Sequence, residues 1–246
     1  MRWKCVCAYD GGAFQGWQSQ SNALAVQDEI EGALASLLKA DIRIHGSGRT
    51  DAGVHALGQV FHFDAAWRHG PDRLVAALST RLPPSLLIKS AVRVADDFHA
   101  RFDTVGKRYH YRITLGPAEP HEVAYCLAVP GPLDVDRMRT AAGFLVGRHD
   151  FAPFSASNGD LIEDTCKELR LARISRRGRR LRITLEAGGF LYHMARSMVG
   201  GLLKVGLGRL EPTVFEQVLS SGRRIPLIET APAKGLFLER VFYPGR

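Results

Sequence analysis

Apolar and polar residues alternate along residues 3–9 (WKCVCAY), which predicts a strand ending at the turn Asp10-Gly11-Gly12. From about residue 24 to 39 the period lengthens. Val26, Ile30, Ala33, Leu34, Leu37 and Leu38 fall on one helical face, with Ser21 or Asn22 as the capping residue. Ile42 and Ile44 alternate as a short strand, and residues 57–63 make another. Pro71 opens a helix carrying Leu74, Ala77, Leu78 and Leu82, which Pro83-Pro84 stops. Residues 86–94 and 107–115 (KRYHYRITL) read as further strands.

The second half repeats the mixture. Asp134 caps a helix bearing Val135, Met138, Ala142 and Leu145, and residues 168–187 read as a hairpin turning near Gly178. A helix follows near 190–204, another begins at Pro212, and a strand closes the chain over 235–243. Interleaved strands and helices with a hairpin favour an α+β fold over a doubly wound parallel sheet. The polar stretch FHARFDTVG, between two strand-like runs, marks the boundary, giving domains over 1–103 and 104–246.

Composition narrows the class. A 246-residue chain that is 46% hydrophobic buries a core without covalent staples. The net charge of +8 suits an anionic partner and says nothing of the fold. The four cysteines form no CxxC pair, and Cys5 and Cys7 point the same way on a strand, as small packing groups. The amino terminus lacks a signal-like apolar core and no run approaches a membrane span, so cytoplasm is the expectation. The histidines adopt no zinc-like spacing, and GLGRL near 206–210 follows a helix rather than joining strand to helix. Metal and nucleotide cofactors are therefore not expected.

Residues 48–63, GRTDAGVHALGQVFHF, carry the most pointed chemistry. Asp51 stands two residues after Arg49 in a glycine-containing turn. One reading is a turn residue that satisfies its own backbone. The other is a carboxylate held ionised by Arg49, able to attack an electrophilic carbon and leave again. No second acid stands nearby, as a glycosidase would need, and Asp64 is too isolated for a metal-assisted phosphoryl site.

Residues 167–182 hold eight cationic side chains and one acid, so they form either a solvated hairpin tip or a footprint for phosphates. Phe14 and Trp17, in the polar run YDGGAFQGWQSQ, belong either to the core or to a base-stacking loop. Tyr109, Tyr111 and Ile113 share one strand face, with Arg108, His110 and Arg112 on the other. Tyr109 is either buried or packs over a flat ring.

These stretches resemble the tRNA pseudouridine synthase A family along nearly the whole chain. They are YDGGAFQGWQSQ with Val26-Gln27, GRTDAGVHALGQVFHF, FHARFDTVGKRYHYRI, GRHDFAPF, GGFLYHMARSMVGGLLKVGLG and APAKGLFLERVFY. One departure is Thr165-Cys166-Lys167, where the family pattern has Thr-x-Arg.

The resemblance implies two α+β domains with mainly antiparallel sheets joined across a basic cleft, the pseudouridine synthase fold. It implies a homodimer without cofactor that isomerises uridine in the tRNA anticodon stem-loop, at positions 38, 39 and 40. It implies that Asp51 is the nucleophile, that Tyr109 packs against the target base, and that Arg196 pairs with Asp51. It implies that Arg49 fills the space of the flipped nucleotide. The isomerisation breaks one glycosidic bond and makes another, with no water entering, so one carboxylate suffices. Two other classes remain: a non-catalytic RNA-binding module, which gives Asp51 no role, and a carboxylate-nucleophile hydrolase, which would release free uracil.

Overall fold

Strict alternation makes Arg2–Tyr9 the strand β1: Trp3, Cys5, Cys7 and Tyr9 are buried and the residues between them less so. The structure, a computed structural model, describes residues 1–21, 23–156 and 164–245. It contains two units, one of residues 1–105 with those from Phe237 onward, the other of Gly106–Leu236.

In the first unit β1 is followed by α1 (Val26–Leu38), β2 (His45–Gly46), β3 (His55–Asp64), α2 (Pro71–Ser79) and β4 (Leu86–Val94). β1 lies between β3 and β4, antiparallel to both, with Cys5 opposite Phe61 on one side and Ala91 on the other. Both strand cysteines are fully buried, and burial pushes the Cys5 thiol up to about 12. They act as packing atoms. α1 buries Val26, Ile30 and Leu34, each worth at most roughly 1.5–3 kcal/mol of apolar transfer, together with the smaller Ala33, while Leu37 and Leu38 are half-buried.

Three expectations for this unit need correction. Ala25, in extended conformation, occupies the N-cap of α1 without a side-chain bond, so Ser21 does not cap it. Asn22 lies outside the described residues. Residues 42–44 form no strand, because Ile44 is claimed by α1: its N–H donates to the Glu31 carboxylate at 3.0 Å and its carbonyl accepts from Gln27. α2 stops at Ser79, before Leu82. The Arg81 N–H turns back to the Leu78 carbonyl and Pro83 bars any continuation.

The second unit contains β5 (Gly106–Leu115), β6 (Leu127–Val129), α3 (Val135–Leu145), β7 (Gly147–Asp150), β8 (Cys166–Arg177), β9 (Arg180–Ala187), α4 (Met194–Gly206) and α5 (Val214–Ser221). β9 lies between β5 and β8, antiparallel to both. β7 pairs antiparallel with β8 and β6 parallel with β5. β6 and β7, of three and four residues, are too short to show a period in sequence.

The Asp134 carboxylate accepts from the N–H groups of Asp136 and Arg137, as the expected cap of α3. The buried stripe of α3 packs on α4, α5 and β8. Gly178, at φ 58°, makes the expected hairpin turn. α4 begins at Met194, later than expected, because His193 is left-handed at φ 61° and interrupts any earlier turn.

The last strand, β10 (Leu236–Phe242), returns to the first unit. It runs parallel to β3, with Phe237 opposite His55 and Leu238 opposite Ala56. Pairing is thus mixed but mostly antiparallel, and the fold is α+β. A division into folding domains at 103–104 remains a proposal, and in packing the final strand goes with the N-terminal residues. Among the described residues no helix is long and apolar enough to cross a membrane.

Candidate active site

The loop carrying Asp51 joins β2 to β3, and its base is tied down on both sides. At the entry, Ser47 donates its N–H to the Val60 carbonyl at 2.7 Å and its hydroxyl to Gln59 Oε1 at 2.6 Å. The Gln59 amide in turn donates to the Gly48 carbonyl at 2.9 Å. A buried glutamine thus replaces the strand ladder where the chain leaves the sheet.

At the centre, the Thr50 hydroxyl meets the Tyr9 phenol at 2.8 Å in a buried site, and the Thr50 carbonyl accepts from the Trp17 N–H at 3.1 Å. At the exit, Gly53 is left-handed at φ 76° and the Val54 N–H closes onto the Asp51 carbonyl. Gly11 backs this exit so closely that a Cβ there would stand 2.2 Å from the Val54 carbonyl oxygen.

Phe14 and Trp17 belong to this clamp. Each is 3% exposed, and Tyr9 packs against both. The core reading of these aromatics is therefore the correct one, and the base-stacking reading is withdrawn. Their loop looks polar in sequence because its backbone serves the Asp51 loop, while the rings point inward.

With Thr50 anchored, its neighbours divide: Arg49 is exposed and Asp51 half-buried. Asp51 is thus a partly exposed carboxylate on a loop hydrogen-bonded at its base.

In the second unit Tyr109 lies near the start of β5, 8% exposed, with its ring edge-to-face on Phe190 at 4.9 Å. Tyr111, two residues on, is fully buried and donates its hydroxyl to the Pro232 carbonyl at 2.8 Å, and burial raises its phenol above the ordinary value. Arg196, on the first turn of α4, donates from Nε to the Ala231 carbonyl at 2.8 Å, and the Ala231 N–H returns to the Arg196 carbonyl.

The segment around Ala231 is seated by glycine. A Cβ at Gly200 would stand 1.8 Å from the Glu229 carbonyl oxygen, and one at Gly235 would strike the Tyr111 ring. Asp51 and Arg49 thus share one loop of the first unit. Tyr109 and Arg196 stand on β5 and α4 of the second, with Arg196 and the Tyr111 phenol both held to residues 231–232.

Residue-by-residue reasoning missed Thr50, Gln59 and Phe190. Each lies in a quoted motif, but only the fold reveals that Thr50 and Gln59 anchor a loop or that Phe190 braces a tyrosine. Lys167, at the departure from the family pattern, is bound to Asp164 at 3.1 Å.

A family model described as tRNA pseudouridine synthase matches residues 6–103 and 141–244. The chain therefore belongs to the tRNA pseudouridine synthase family. Its curated relatives carry a narrower name. It is 42% identical to "tRNA pseudouridine synthase A" of Brevibacillus brevis over 243 residues, covering 98% of this chain and 99% of the relative. It is 40% identical to the protein of that name from Bacillus pumilus over 249 residues, covering 99% of each. For the one from Streptococcus equi subsp. equi the identity is 41% over 246 residues, covering 98% of each.

Proposed function

We propose that the chain is a tRNA isomerase converting uridine to pseudouridine in the anticodon stem-loop, at positions 38, 39 and 40, with Asp51 as nucleophile. The observation that carries this reading is the anchored Thr50. It leaves Asp51 half-buried and Arg49 exposed on a loop whose base is hydrogen-bonded to the rest of its unit. Family membership supports the uridine chemistry on tRNA.

In the reaction the N-glycosidic bond to uracil breaks, the ring turns, and a carbon–carbon bond forms from C5 to the same ribose carbon. The proton leaves C5 and one is gained at the freed nitrogen, so the atoms balance without water. The Asp51 carboxylate acts as a nucleophile on the ribose or on the uracil ring, or as a base that assists formation of a glycal.

In this reading Arg196 is the cationic partner of Asp51. Tyr109 packs against the extruded base, and Arg49 fills the space it leaves. Extrusion costs a few kcal/mol, least where stacking is already weak, which suits a stem-loop. The same reading makes the enzyme a cofactor-free homodimer working in the cytoplasm.

The experiment is Asp51→Asn. The amide keeps size and hydrogen bonding but loses the nucleophilic charge. Pseudouridine formation in unmodified tRNA, mapped at base resolution, should vanish while tRNA affinity stays within a few-fold. Substantial turnover by a pure Asn variant would remove Asp51 from the chemistry. Release of free uracil by the wild type would make the chain a hydrolase instead.

A further inference from the structure

Register sorts the strands of the second unit into two unlike faces. Directly opposed residues point the same way, so Tyr109, Tyr111 and Ile113 of β5 share a face with Leu185, Ile183 and Leu181 of β9. That face is buried. The opposite face carries Arg112 of β5, Arg180 and Arg182 of β9, and Arg173 and Arg177 of β8, all five exposed.

The pairing is unfavourable for the fold: Arg112 stands directly across from Arg182, and Arg177 from Arg180. Like charges directly opposite one another destabilise a sheet, and a lysine–glutamate mixture would solvate this face equally well. The arginines are nevertheless held in place. His110 is buried between two of them, its ring nitrogens 3.2 Å from Arg112 Nε and 2.8 Å from Arg182 Nη2.

Glu122 engages Arg180, and at the turn Glu119 lies 3.8 Å from Arg179. A cleft of about 440 Å³ opens here, lined by Arg112, Arg180 and Arg182 with Glu122 and Tyr125. Alternate residues along a strand lie about 7 Å apart and neighbouring strands about 5 Å, so the guanidinium groups form a grid. Guanidinium forks suit phosphate oxygens.

We infer that this arginine face is a second RNA-binding surface, taking the sugar–phosphate backbone of a part of the tRNA distant from the target uridine. The inference rests on the reading that the substrate is tRNA. Distance follows from the fold. Tyr109 and Arg112 lie on opposite faces of one sheet, so a base packed on Tyr109 does not place its own neighbouring phosphates on Arg112. The surface positions substrate and touches no reacting atom.

The test is Arg173→Gln with Arg177→Gln and Arg182→Gln, assayed on full-length unmodified tRNA and on an isolated anticodon stem-loop. KM for the full tRNA should rise about ten-fold with kcat unchanged. The slope of log affinity against log salt should flatten by roughly two to three, a little under one per lost phosphate contact. KM for the stem-loop should not move, and the triple Arg→Lys variant should recover most of the slope. An unchanged salt slope in the Gln variant, or an equal loss on both substrates, overturns the inference.

If the triple variant is unfolded by circular dichroism, Arg173→Gln alone carries the measurement, with a slope change of a little under about one. Affinity is read without turnover. A wild type that binds tRNA with the expected slope yet forms no pseudouridine would defeat the catalytic reading and leave this one standing.

Discussion

Thr50 stands between the two charged residues on which the proposed chemistry depends, and it is the residue the fold grips. Thr50→Val keeps the shape and removes the bond to Tyr9. A hydrogen bond of this kind contributes about 0.5–1.5 kcal/mol net, so the urea midpoint should fall by that equivalent. The rate should fall by more than the stability loss alone would cause, because Asp51 loses its fixed base, while tRNA affinity changes little. A kcat equal to wild type would show that the anchor is structural only. Tyr109 yields a paired expectation. Tyr109→Phe keeps the ring on Phe190 and should bind tRNA normally while losing rate, which would assign the hydroxyl to proton transfer. Tyr109→Leu should lose affinity as well, since stacking is worth roughly 1–3 kcal/mol per base. Two variants near wild type would return Tyr109 to the core. Asp51, Arg49, Tyr109 and Arg196 stood out in the sequence as candidates through motifs. Thr50 did not, because a threonine's value as an anchor depends on the tyrosine forty-one positions earlier.

At the scale of elements, legibility followed length and capping. β1 and β5 were plain because each alternates over seven residues or more, β3 because it is a long apolar run, and the β8–β9 hairpin because Gly178 marks its turn. α3 was plain because Asp134 caps it chemically. β2, β6 and β7 were hidden because two to four residues carry no period, and the start of α1 because no side chain caps it. The partners of a histidine were equally invisible. His62 of β3 is buried, stacks on His45 at 5.0 Å and meets His99 at 4.7 Å, with Nδ1 accepting from the Ala100 N–H. Burial first, then His99, Arg2 and His45, lower its pKa from the ordinary 6.5 to about 4, against a small opposing pull from Asp64. Below about pH 6.5 the unfolded chain therefore takes up a proton that the folded chain refuses. Stability should fall as pH drops from about 6.5 towards 4, by at most about 1.4 kcal/mol per unit from this group, and should be insensitive to it above that window. Urea midpoints at pH 7 and pH 4.5 measure the loss. His62→Asn keeps an acceptor for Ala100 and should shrink it, and an undiminished loss would place the acid sensitivity elsewhere.

For the whole molecule, the sequence suggested a cut at 103–104, and the chain's last ten residues are where that suggestion meets the structure. The polar stretch 98–106 looks like a boundary because no strand or helix runs through it. Local pattern cannot show that a strand returns from the far end of the chain. The Phe237 ring stacks on His55 at 4.6 Å, and β10 lies along β3. The Val105 N–H donates to the Phe242 carbonyl, the Tyr243 hydroxyl donates to the Ala100 carbonyl at 2.6 Å, and the Lys4 ammonium sits 4.3 Å above the Tyr243 ring. These contacts all fall within the first unit, and β3 leads directly out of the Asp51 loop. Deleting residues 237–246 should therefore loosen the N-terminal residues selectively. Amide exchange should speed up in β3 and around residues 98–105, while α3 and the hydrogen-bonded core of β8 and β9 keep most of their protection. A fragment of residues 1–103 should likewise be less stable than the same residues within the full chain, since it leaves the end of β3 near His55 as an open edge. Exchange measured by mass spectrometry on the truncated chain decides the matter. Uniform loss of protection would mean that the whole chain unfolds as one body. Loss confined to residues 106–236 would mean that the sequence boundary, with β10 on its C-terminal side, is the true division.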